Sequence, residues 1–355
     1  MSRVGILTVI NCDNNGTDIQ AYAMQKLFEQ FNLSVELINY RAKKWDKSIL
    51  DYKFNLRTFL KFPINVFVKY THQQFRKRYL HISPKEYFID DLNELPYEKI
   101  IVGSDQIWNL DLTYGDIGFY LPDMNVNYEK YAYAVSLGRT NIKKWEKKYL
   151  ISNYLNSFKG ISVREKTAVE ALKEIGIFAR QDLDPVLMVD KNFWNQISVS
   201  KHQKPYILLY LVEYNDKVVD YARKLAKEEH LEIVWITDTI RFFKGIKCKR
   251  FVSVESWIGY VRNAEIVITN SYHGLAMSIV LNIPVCLVKL QENQESNARL
   301  LDLIEKLKLD DIGWKKKAML CDYKFDWEKI NSKIDELRKE STEYIQKVIM
   351  NDRQD

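Results

Sequence analysis

A histidine in a short polar turn is the first candidate for chemistry. His273 follows the largely apolar stretch 264–268 and precedes the apolar stretch 275–281. This pattern predicts a strand, a tight turn and a helix, with the turn at the carboxyl end of a parallel strand, where open sheets bind ligands. Because N–H groups in the first turn of a helix attract anions, Ser271 and Gly274 are candidate anion contacts. His273 would then deliver a proton to a bound phosphate ester; the alternative is that it only caps the helix or hydrogen-bonds a buried carbonyl.

A second polar segment, residues 103–109, directly follows another apolar stretch. Its leading glycine lets a ligand approach the backbone closely. Asp105 is a candidate general base toward a hydroxyl, although an aspartate at this place can equally cap the next helix. Gln106 and Asn109 offer hydrogen-bonding groups, and Trp108 offers a flat face of the kind on which sugars pack.

Cationic side chains stand at the same predicted edge of the sheets. Arg164 ends a strand and begins a helix, where a guanidinium suits a carboxylate or a phosphate; the alternative is an ion pair with a nearby acid such as Glu165. Lys289 follows a later strand, and Asn297 and Arg299 open the next helix. Arg164, Lys289 and Arg299 can therefore converge on one small dianion, although the sequence alone does not bring them together.

Several common catalytic and cofactor signatures are missing from the sequence. The loop 11–20 is rich in asparagine but is neither a G-x-G-x-x-G fingerprint nor a P-loop. There is also no G-x-S-x-G elbow, no Ser-His-Asp order and no zinc-type histidine pattern. We therefore expect no bound metal and no cofactor, and functions that depend on NAD or ATP are disfavoured.

Strands and helices alternate along most of the chain. The apolar stretch 4–10, a polar loop, an amphipathic helix over 18–31 and a strand over 35–39 predict a βαβ unit at the start. The same alternation returns between residues 206 and 288. Two α/β halves of similar size predict two Rossmann-like domains that face each other across a cleft.

The domain limits follow from this alternation. We place the first domain in residues 1–190, the second in residues 191–325, and a last helix in residues 326–355 that packs back on the first domain. Residues 45–80 interrupt the alternation of strands and helices. They mix basic and aromatic side chains in predicted helices. This segment is either an ordinary insertion that packs on the first domain or a patch for a membrane surface.

The bulk composition is that of a well-packed globular protein. Of the 355 residues, 46% are hydrophobic and 28% are charged, and no apolar run approaches the roughly 20 residues of a membrane span. The net charge of +6 favours an acidic substrate or an anionic surface, but no nucleic-acid motif is present. Four cysteines without paired spacing argue against a disulfide framework. With no signal-peptide pattern at the start, we expect a cytoplasmic protein.

Taken in order, these motifs resemble the polysaccharide pyruvyl transferase family. The resemblance covers about residues 3–310, and the segments 103–109 and 268–274 are its most specific parts. The other matching pieces are residues 14–16, 20–23, 133–138, 162–165, 183–185 and 297–299.

The resemblance implies a fold similar to that of GT-B glycosyltransferases. It implies transfer of pyruvate from phosphoenolpyruvate, a co-substrate rather than a cofactor, to two hydroxyls of a saccharide, with a pyruvate ketal as product. In the family, arginines and a histidine at this turn bind the donor, which points to Arg164 and His273. Ser271 stands where another version of the turn has an arginine, so Lys289 or Arg299 would supply that anion contact.

The resemblance and the residue types together give each candidate a role. For catalysis we predict His273 as the acid or as a group that stabilises the departing phosphate, and Asp105 as the group that orients or deprotonates the acceptor. The first domain would carry the acceptor and the second the donor. The predicted donor contacts are Arg164, Ser271, Gly274, Lys289, Asn297 and Arg299. The predicted acceptor contacts are Asn14, Asn15, Asp18, Gln20, Gln106, Trp108 and Asn109.

The resemblance also implies partners and a place of action. It implies a lipid-linked oligosaccharide acceptor, a bacterial surface or capsular polysaccharide as product, and peripheral contact with the inner face of the cytoplasmic membrane, without nucleic acid. Two alternatives stay open. One is a GT-B glycosyltransferase that uses a nucleotide sugar in the same cleft, and the other is a non-catalytic relative that only binds glycan or phosphate.

Overall fold

The computed structural model describes residues 3–42, 56–122, 126–138, 148–199, 202, 204–290, 297–309 and 325–350. The strands of this described chain are β1 (Arg3–Leu7), β2 (Ser34–Tyr40), β3 (Ile82–Tyr87), β4 (Lys99–Val102), β5 (Glu129–Val135), β6 (Gly160–Val163), β7 (Arg180–Gln181), β8 (Tyr206–Tyr210), β9 (Glu232–Ile236), β10 (Lys247–Lys249), β11 (Ile266–Thr269) and β12 (Val285–Leu287). Its helices are α1 (Asn15–Glu29), α2 (Leu56–Tyr79), α3 (Lys148–Asn156), α4 (Lys166–Lys173), α5 (Pro185–Met188), α6 (Lys191–Ile197), α7 (Asp216–Glu228), α8 (Val254–Arg262), α9 (Tyr272–Val280), α10 (Asn297–Lys306) and α11 (Trp327–Tyr344).

These elements form two parallel sheets with helices on both faces. The first sheet has the strand order β3-β2-β1-β4-β5-β6-β7, and the second has the order β10-β9-β8-β11-β12. Every neighbouring pair is parallel, so the central strands are covered on both faces and are largely apolar. The predicted α/β fold of two Rossmann-like domains is therefore confirmed.

Three strands were not evident from the sequence, and they lie at the edges of the sheets. They are β3, β7 and β10, which carry the sequences ISPKEY, RQ and KCK. Edge strands are covered on fewer sides than central strands, so they need no continuous apolar run. Because these edge strands are largely polar, a search for apolar periodicity does not find them.

The last helix, α11, packs on elements of the first half of the chain. Arg338 donates from Nε to the carbonyl oxygen of Leu187 at 2.7 Å, and Ser341 Oγ donates to Asp182 Oδ1 at 2.9 Å. Just beyond the helix, the carbonyl of Ile349 accepts a hydrogen bond from Lys99 Nζ. These contacts tie the end of the described chain to the first sheet, while the limits at residues 190 and 325 stay a prediction.

Helix α2 lies within the basic and aromatic segment predicted over 45–80, of which residues 45–55 fall outside the described residues. It touches both halves of the molecule. The ring of Phe67 lies 5.3 Å from that of Phe251, and Lys61 Nζ lies 2.5 Å from a carboxylate oxygen of Asp238. Toward its other end, Arg76 donates from Nε to buried Asp18 of α1 at 2.7 Å. The helix therefore joins the two domains along one wall.

The cysteines differ from the expectation in one respect. Cys12 and Cys248 are free, but Cys286 on β12 is disulfide-bonded. The scattered spacing argued against a disulfide framework and gave no sign of the bond at Cys286, because a pair that only the tertiary fold brings together leaves no spacing signal in the sequence. Within the described ranges, no helix combines the length and the apolar character needed to cross a bilayer.

The ion pairs of Asp18 give a prediction about stability. Asp18 is fully buried and contacts both His72 Nδ1, at 2.5 Å, and Arg76 Nε, at 2.7 Å. Because Asp18→Ala leaves the buried guanidinium of Arg76 without its main counter-charge, it should destabilise the protein by about 3 kcal/mol. Asp220→Ala is the control, because Asp220 lies exposed on α7 and pairs only with Arg223 among the residues described. Thermal unfolding should show a lower Tm for the first variant alone, and equal Tm values would contradict this role of Asp18.

Candidate functional site

A cavity of about 1100 Å³ lies between the two sheets. Its walls combine the carboxyl ends of strands from both domains with one face of α2. The lining residues are Val9, Asn11, Cys12, Asp13, Asn14, Thr17, Asn39, Arg41, Lys69, Gln73, Arg76, Lys77, Ile82, Asp105, Gln106, Leu112, Tyr114, Val212, Asn270, Ser271, Tyr272, His273, Leu290 and Arg299. Both catalytic candidates, His273 and Asp105, therefore face the same space.

His273 lies in the first turn of α9. The helix is capped by Ser271, whose hydroxyl accepts from the N–H of Gly274 at 3.3 Å, so that N–H is already used within the turn. The imidazole is buried, and its Nε2 has no hydrogen-bond partner within the described chain. Burial lowers the pKa of His273 below its usual value, although the charge of Asp105 opposes this shift. The imidazole is therefore neutral at neutral pH while the cavity is empty.

A glycine of the other domain sets the position of this imidazole. A Cβ added at Gly16, in the first turn of α1, would lie 2.3 Å from Nδ1 of His273. Any larger residue at position 16 would thus displace the ring. In the sequence, the Asn14-Asn15-Gly16 stretch signals this contact. Glycine is needed at position 16 because the imidazole of His273 lies so close to the backbone, and not because the backbone has a positive φ.

Asp105 follows β4 and faces the cavity. It has a φ of 71°, which is uncommon for a residue other than glycine. Its carboxylate accepts from the N–H of Gln106 at 2.8 Å and from the Thr17 hydroxyl at 3.3 Å. Burial raises the pKa of Asp105, but His273 in its protonated form, the charge of Arg164 and the hydrogen bond from Gln106 outweigh it and hold the pKa below its usual value. Asp105 is therefore ionised at neutral pH.

Arg164 lies behind Asp105 rather than on the cavity surface, since it is not among the lining residues. Its Nε donates to Glu165 and its Nη1 to Asp184, each at 3.0 Å, and its Nη2 lies 4.0 Å from Asp105. The guanidinium also lies over the ring of Tyr272, 4.1 Å from the centroid. Nη2 has no hydrogen-bond partner in the described part of the protein, so a donor can reach Arg164 only through that nitrogen.

Arg299, on α10, is the arginine of the donor set that lines the cavity. Its Nε is buried without a hydrogen-bond partner among the described residues. Burial, reinforced by the like charge of Arg164, lowers the pKa of the Arg299 guanidinium to about 10. The structure thus brings two of the three predicted cations together. Lys289 is exposed after β12 and does not line the cavity, because the chain turns inward only at Leu290.

The two other predicted donor contacts in these turns have structural partners. Asn297 is buried and forms two hydrogen bonds with the backbone of Leu290, accepting from its N–H at 2.8 Å and donating to its carbonyl at 2.9 Å. This pairing fixes the start of α10, and with it Arg299. Gly274 is buried as well, and a Cβ there would lie 2.5 Å from the Thr269 hydroxyl oxygen. Its role is close packing in the turn.

Of the predicted acceptor contacts, Asn14 and Gln106 line the cavity. Asn14 caps α1 by accepting from the N–H of Gly16 at 2.8 Å. Asn15 does not line the cavity but has a buried Oδ1 without a partner in the described residues. Asn109 is buried and donates to the Gln106 side chain at 3.3 Å, so it orients Gln106 rather than facing the ligand.

Three further predicted acceptor contacts lie in the interior. Trp108 is fully buried, stacks on Tyr120 at 5.5 Å between centroids and donates from Nε1 to the Phe119 carbonyl at 3.0 Å. Gln20 is also fully buried and donates to the Thr8 hydroxyl. Asp18 holds α2 through its ion pairs. Their residue types suit a sugar site, but the helical and strand registers turn these side chains into the core.

The structure also identifies site residues that the sequence did not single out. Thr17 contacts Asp105, Tyr272 stacks on Arg164, and Asp184 pairs with Arg164. Asp184 lies in the 183–185 piece of the resemblance, and Tyr272 in the turn beside His273, so both had a positional signal. Lys69 and Lys77 of α2 line the cavity without such a signal. Among the described residues no cluster of ligands suited to a metal ion is present.

Comparisons with known proteins identify a family and a fold. The family described as polysaccharide pyruvyl transferase matches residues 14–291. No curated protein matches the sequence. The fold is similar to that of UDP-GlcNAc 2-epimerase from Neisseria meningitidis bound to UDP-GlcNAc, at 10% identity over 99% of this chain and 100% of the other, with a TM-score of 0.52. It is also similar to a Listeria monocytogenes protein described as a UDP-N-acetylglucosamine 2-epimerase, at 10% identity over 93% of this chain and 94% of the other, with a TM-score of 0.50. At such identities the likeness concerns the fold alone, which is of the GT-B type.

The neutral, buried imidazole of His273 gives a prediction for the empty protein. The unfolded chain protonates His273 below about pH 6.5. The folded chain, in which the pKa of His273 is lowered, protonates it only at a lower pH. Stability must therefore fall as the pH falls, and part of that loss should be absent in His273→Gln. Thermal unfolding between about pH 7.5 and about pH 5.5 measures this, with exposed His230→Asn as the control. If the Tm of the wild type falls no more steeply with decreasing pH than the Tm of His273→Gln, the assignment of a buried, neutral His273 is contradicted.

Proposed function

Because the chain belongs to the polysaccharide pyruvyl transferase family, we propose that it transfers pyruvate from phosphoenolpyruvate to two hydroxyls of a saccharide and forms a pyruvate ketal. One observation carries this proposal. Arg299 Nε, Arg164 Nη2 and His273 Nε2 are buried nitrogens without hydrogen-bond partners in the described chain, and all three residues lie near Asp105, with Arg164 Nη2 4.0 Å from its carboxylate. Buried polar atoms normally have partners, so this cluster is suited to a small polyanion such as phosphoenolpyruvate.

The electrostatics of this end of the cavity also support an anionic donor. The lowered pKa values of His273 and Arg299 mean that their charged forms are disfavoured while the cavity is empty. An anion placed beside them favours the charged forms and raises both pKa values. Donor binding would therefore protonate His273, which converts it from a neutral imidazole into the acid that the reaction needs.

The reaction then proceeds in balanced steps. His273 gives a proton to the methylene carbon of phosphoenolpyruvate, and a C–H bond forms. A sugar hydroxyl attacks the central carbon, a C–O bond forms, and Asp105 takes the hydroxyl proton. The C–O bond to phosphate breaks, and phosphate leaves with its bonding electrons toward Arg299. A neighbouring hydroxyl attacks the same carbon, a second C–O bond forms and completes the ketal, and the hydroxyl proton passes to His273, which is neutral after the first step.

Asp105 is suited to the role of base by its charge and its contacts. It is ionised, as its lowered pKa requires, and Thr17 holds one of its oxygens by a hydrogen bond. Arg164, fixed by Glu165 and Asp184, keeps Asp105 from being protonated. Arg164 thus serves mainly to position and charge the base, and it touches the donor through Nη2.

The family implies a saccharide as the acceptor. We take that acceptor to be a lipid-linked oligosaccharide and the product to be a bacterial surface or capsular polysaccharide, assembled at the inner face of the cytoplasmic membrane. The size of the cavity supports an acceptor of more than one sugar unit, because a three-carbon donor occupies only a small part of about 1100 Å³.

The test is release of phosphate from phosphoenolpyruvate with a panel of lipid-linked or aryl glycosides. Release that depends on a glycoside, together with a ketal in the product, is the expected result. Protection against thermal unfolding by phosphoenolpyruvate should accompany it. Protection by a nucleotide sugar without any phosphate release would favour a glycosyltransferase, and binding of glycan or phosphate without turnover would favour a non-catalytic relative.

Variants at the donor end should separate proton transfer from binding. His273→Ala should lower kcat by about 10²-fold or more, because the acid is lost. Arg299→Gln should raise the KM for phosphoenolpyruvate at least tenfold, since a charge-assisted contact contributes about 1.5–3 kcal/mol, while the acceptor KM changes little. Lys289→Gln, which removes an exposed charge outside the cavity, is the matched control. Wild-type turnover in folded His273→Ala, or a donor effect as large in Lys289→Gln, would contradict these assignments.

Peripheral contact with the membrane is the last part of the proposal. Phe62, Val66 and Tyr70 of α2 are 50%, 43% and 57% exposed and lie one turn apart on one face. Such a stripe suits insertion at a bilayer interface. Arg76, a basic residue of the same segment, is held in ion pairs with Asp18 and Asp13 and is not available for lipid.

Replacing Phe62, Val66 and Tyr70 together by Ser should therefore reduce pelleting with anionic vesicles at low salt. Phe178→Ser is the matched control, because Phe178 is 89% exposed on a different part of the surface. Sedimentation with vesicles measures the bound fraction. A wild-type protein that stays in the supernatant would show that this stripe of α2 does not bind membranes.

A further inference from the structure

Helix α2 presents a row of polar side chains to the cavity that the proposed reaction does not use. Lys69, Gln73 and Lys77 all line it. They are spaced four residues apart, so they lie on one face of the helix and cover about 12 Å along its axis. Three donor-bearing side chains in a line form an extended surface for an anion rather than a point contact.

The polar ends of these side chains have no partners in the described part of the chain. Lys69 and Lys77 form no ion pair, and Gln73 forms no hydrogen bond, with any described residue. The other cations of the same wall are already engaged, Arg41 with Glu86 at 2.6 Å and Arg76 with Asp18 at 2.7 Å. The charge of Lys69 and Lys77 is therefore available to a ligand.

The place of the row indicates which part of a ligand it meets. The donor end of the cavity, with His273 and Arg299, belongs to the second domain, whereas α2 forms a separate wall that joins the two domains and whose later turns lie against α1 of the first. On the same face of α2, toward its start, the row continues into the exposed stripe of Phe62, Val66 and Tyr70. A ligand that extends from Asp105 along α2 thus meets positive charge first and apolar surface next.

We propose that Lys69, Gln73 and Lys77 form a subsite for a phosphate or diphosphate group through which the acceptor saccharide is joined to an apolar carrier. The inference rests on the proposed function for the identity of the saccharide, but the subsite is defined by its own unpaired charges. A diphosphate carries two linked negative groups, and the long, flexible side chains of two lysines can converge on them with an amide between. The subsite would fix the distance between the carrier and the hydroxyls presented to Asp105.

The test uses farnesyl diphosphate as a soluble probe with a short apolar chain, titrated into the full-length protein by calorimetry. The titration is done with saturating phosphoenolpyruvate and, separately, in the Arg299→Gln background, so that the donor end does not compete in either case. Lys69→Gln/Lys77→Gln should weaken binding of the probe at least tenfold and leave binding of phosphoenolpyruvate unchanged. Inorganic pyrophosphate should show the same dependence, because the subsite binds phosphate. Lys329→Gln/Lys339→Gln on α11 removes the same charge away from the cavity and should have no effect.

The remaining outcomes decide against the subsite. Equal affinity of the double variant and the wild type for farnesyl diphosphate would overturn it. The subsite would also be overturned if the double variant bound farnesyl diphosphate normally but no longer bound anionic vesicles, because the lysines would then contact membrane headgroups. The titrations do not depend on turnover. If the protein shows no pyruvyl transfer but the double variant still binds the probe at least tenfold more weakly, the subsite stands and only the proposed reaction is overturned.

Discussion

One buried guanidinium holds the centre of the molecule together. Arg164 contacts carboxylates that arrive from three places in the first domain, Asp105, Glu165 and Asp184, and it stacks on Tyr272 from the second. A buried carboxylate without a counter-charge costs several kcal/mol, so these acids can share the interior only because Arg164 lies among them. The ionised state of Asp105, the contact with Tyr272 across the domains and the charge balance beside the cavity all depend on Arg164.

The proposed acid and base, His273 and Asp105, are kept in opposite charge states by the same surroundings. Burial makes His273 neutral, whereas neighbouring positive charge keeps Asp105 ionised. Each state follows from the balance between desolvation and nearby charge. An incoming polyanion shifts this balance in one direction, toward protonated His273, so the ligand itself completes the catalytic pair.

The sequence predicted the architecture well because the central strands are apolar and the ligand-binding turns follow them directly. It also placed His273, Asp105 and Arg299 correctly at one cavity, since the carboxyl ends of parallel strands meet at one edge. It could not distinguish Trp108 and Gln20, which face the core, from Gln106, which faces the cavity, because tertiary packing sets the side-chain directions in the turn after β4 and on α1. Nor could it show that Lys289 lies outside or that α2 contributes lysines, because those facts depend on contacts between distant segments.

The contact between Gly16 and His273 has a consequence for how the protein can be divided. The imidazole is carried by one domain, but its ring rests against the first turn of a helix in the other. Asn14, which lines the acceptor side of the cavity, caps that same turn. Neither half, expressed as a fragment, would contain a complete proton donor, and a hybrid that joins halves of two relatives would have to match at this single point. Exchange of a single domain between relatives therefore requires that a glycine and a histidine still meet across this contact.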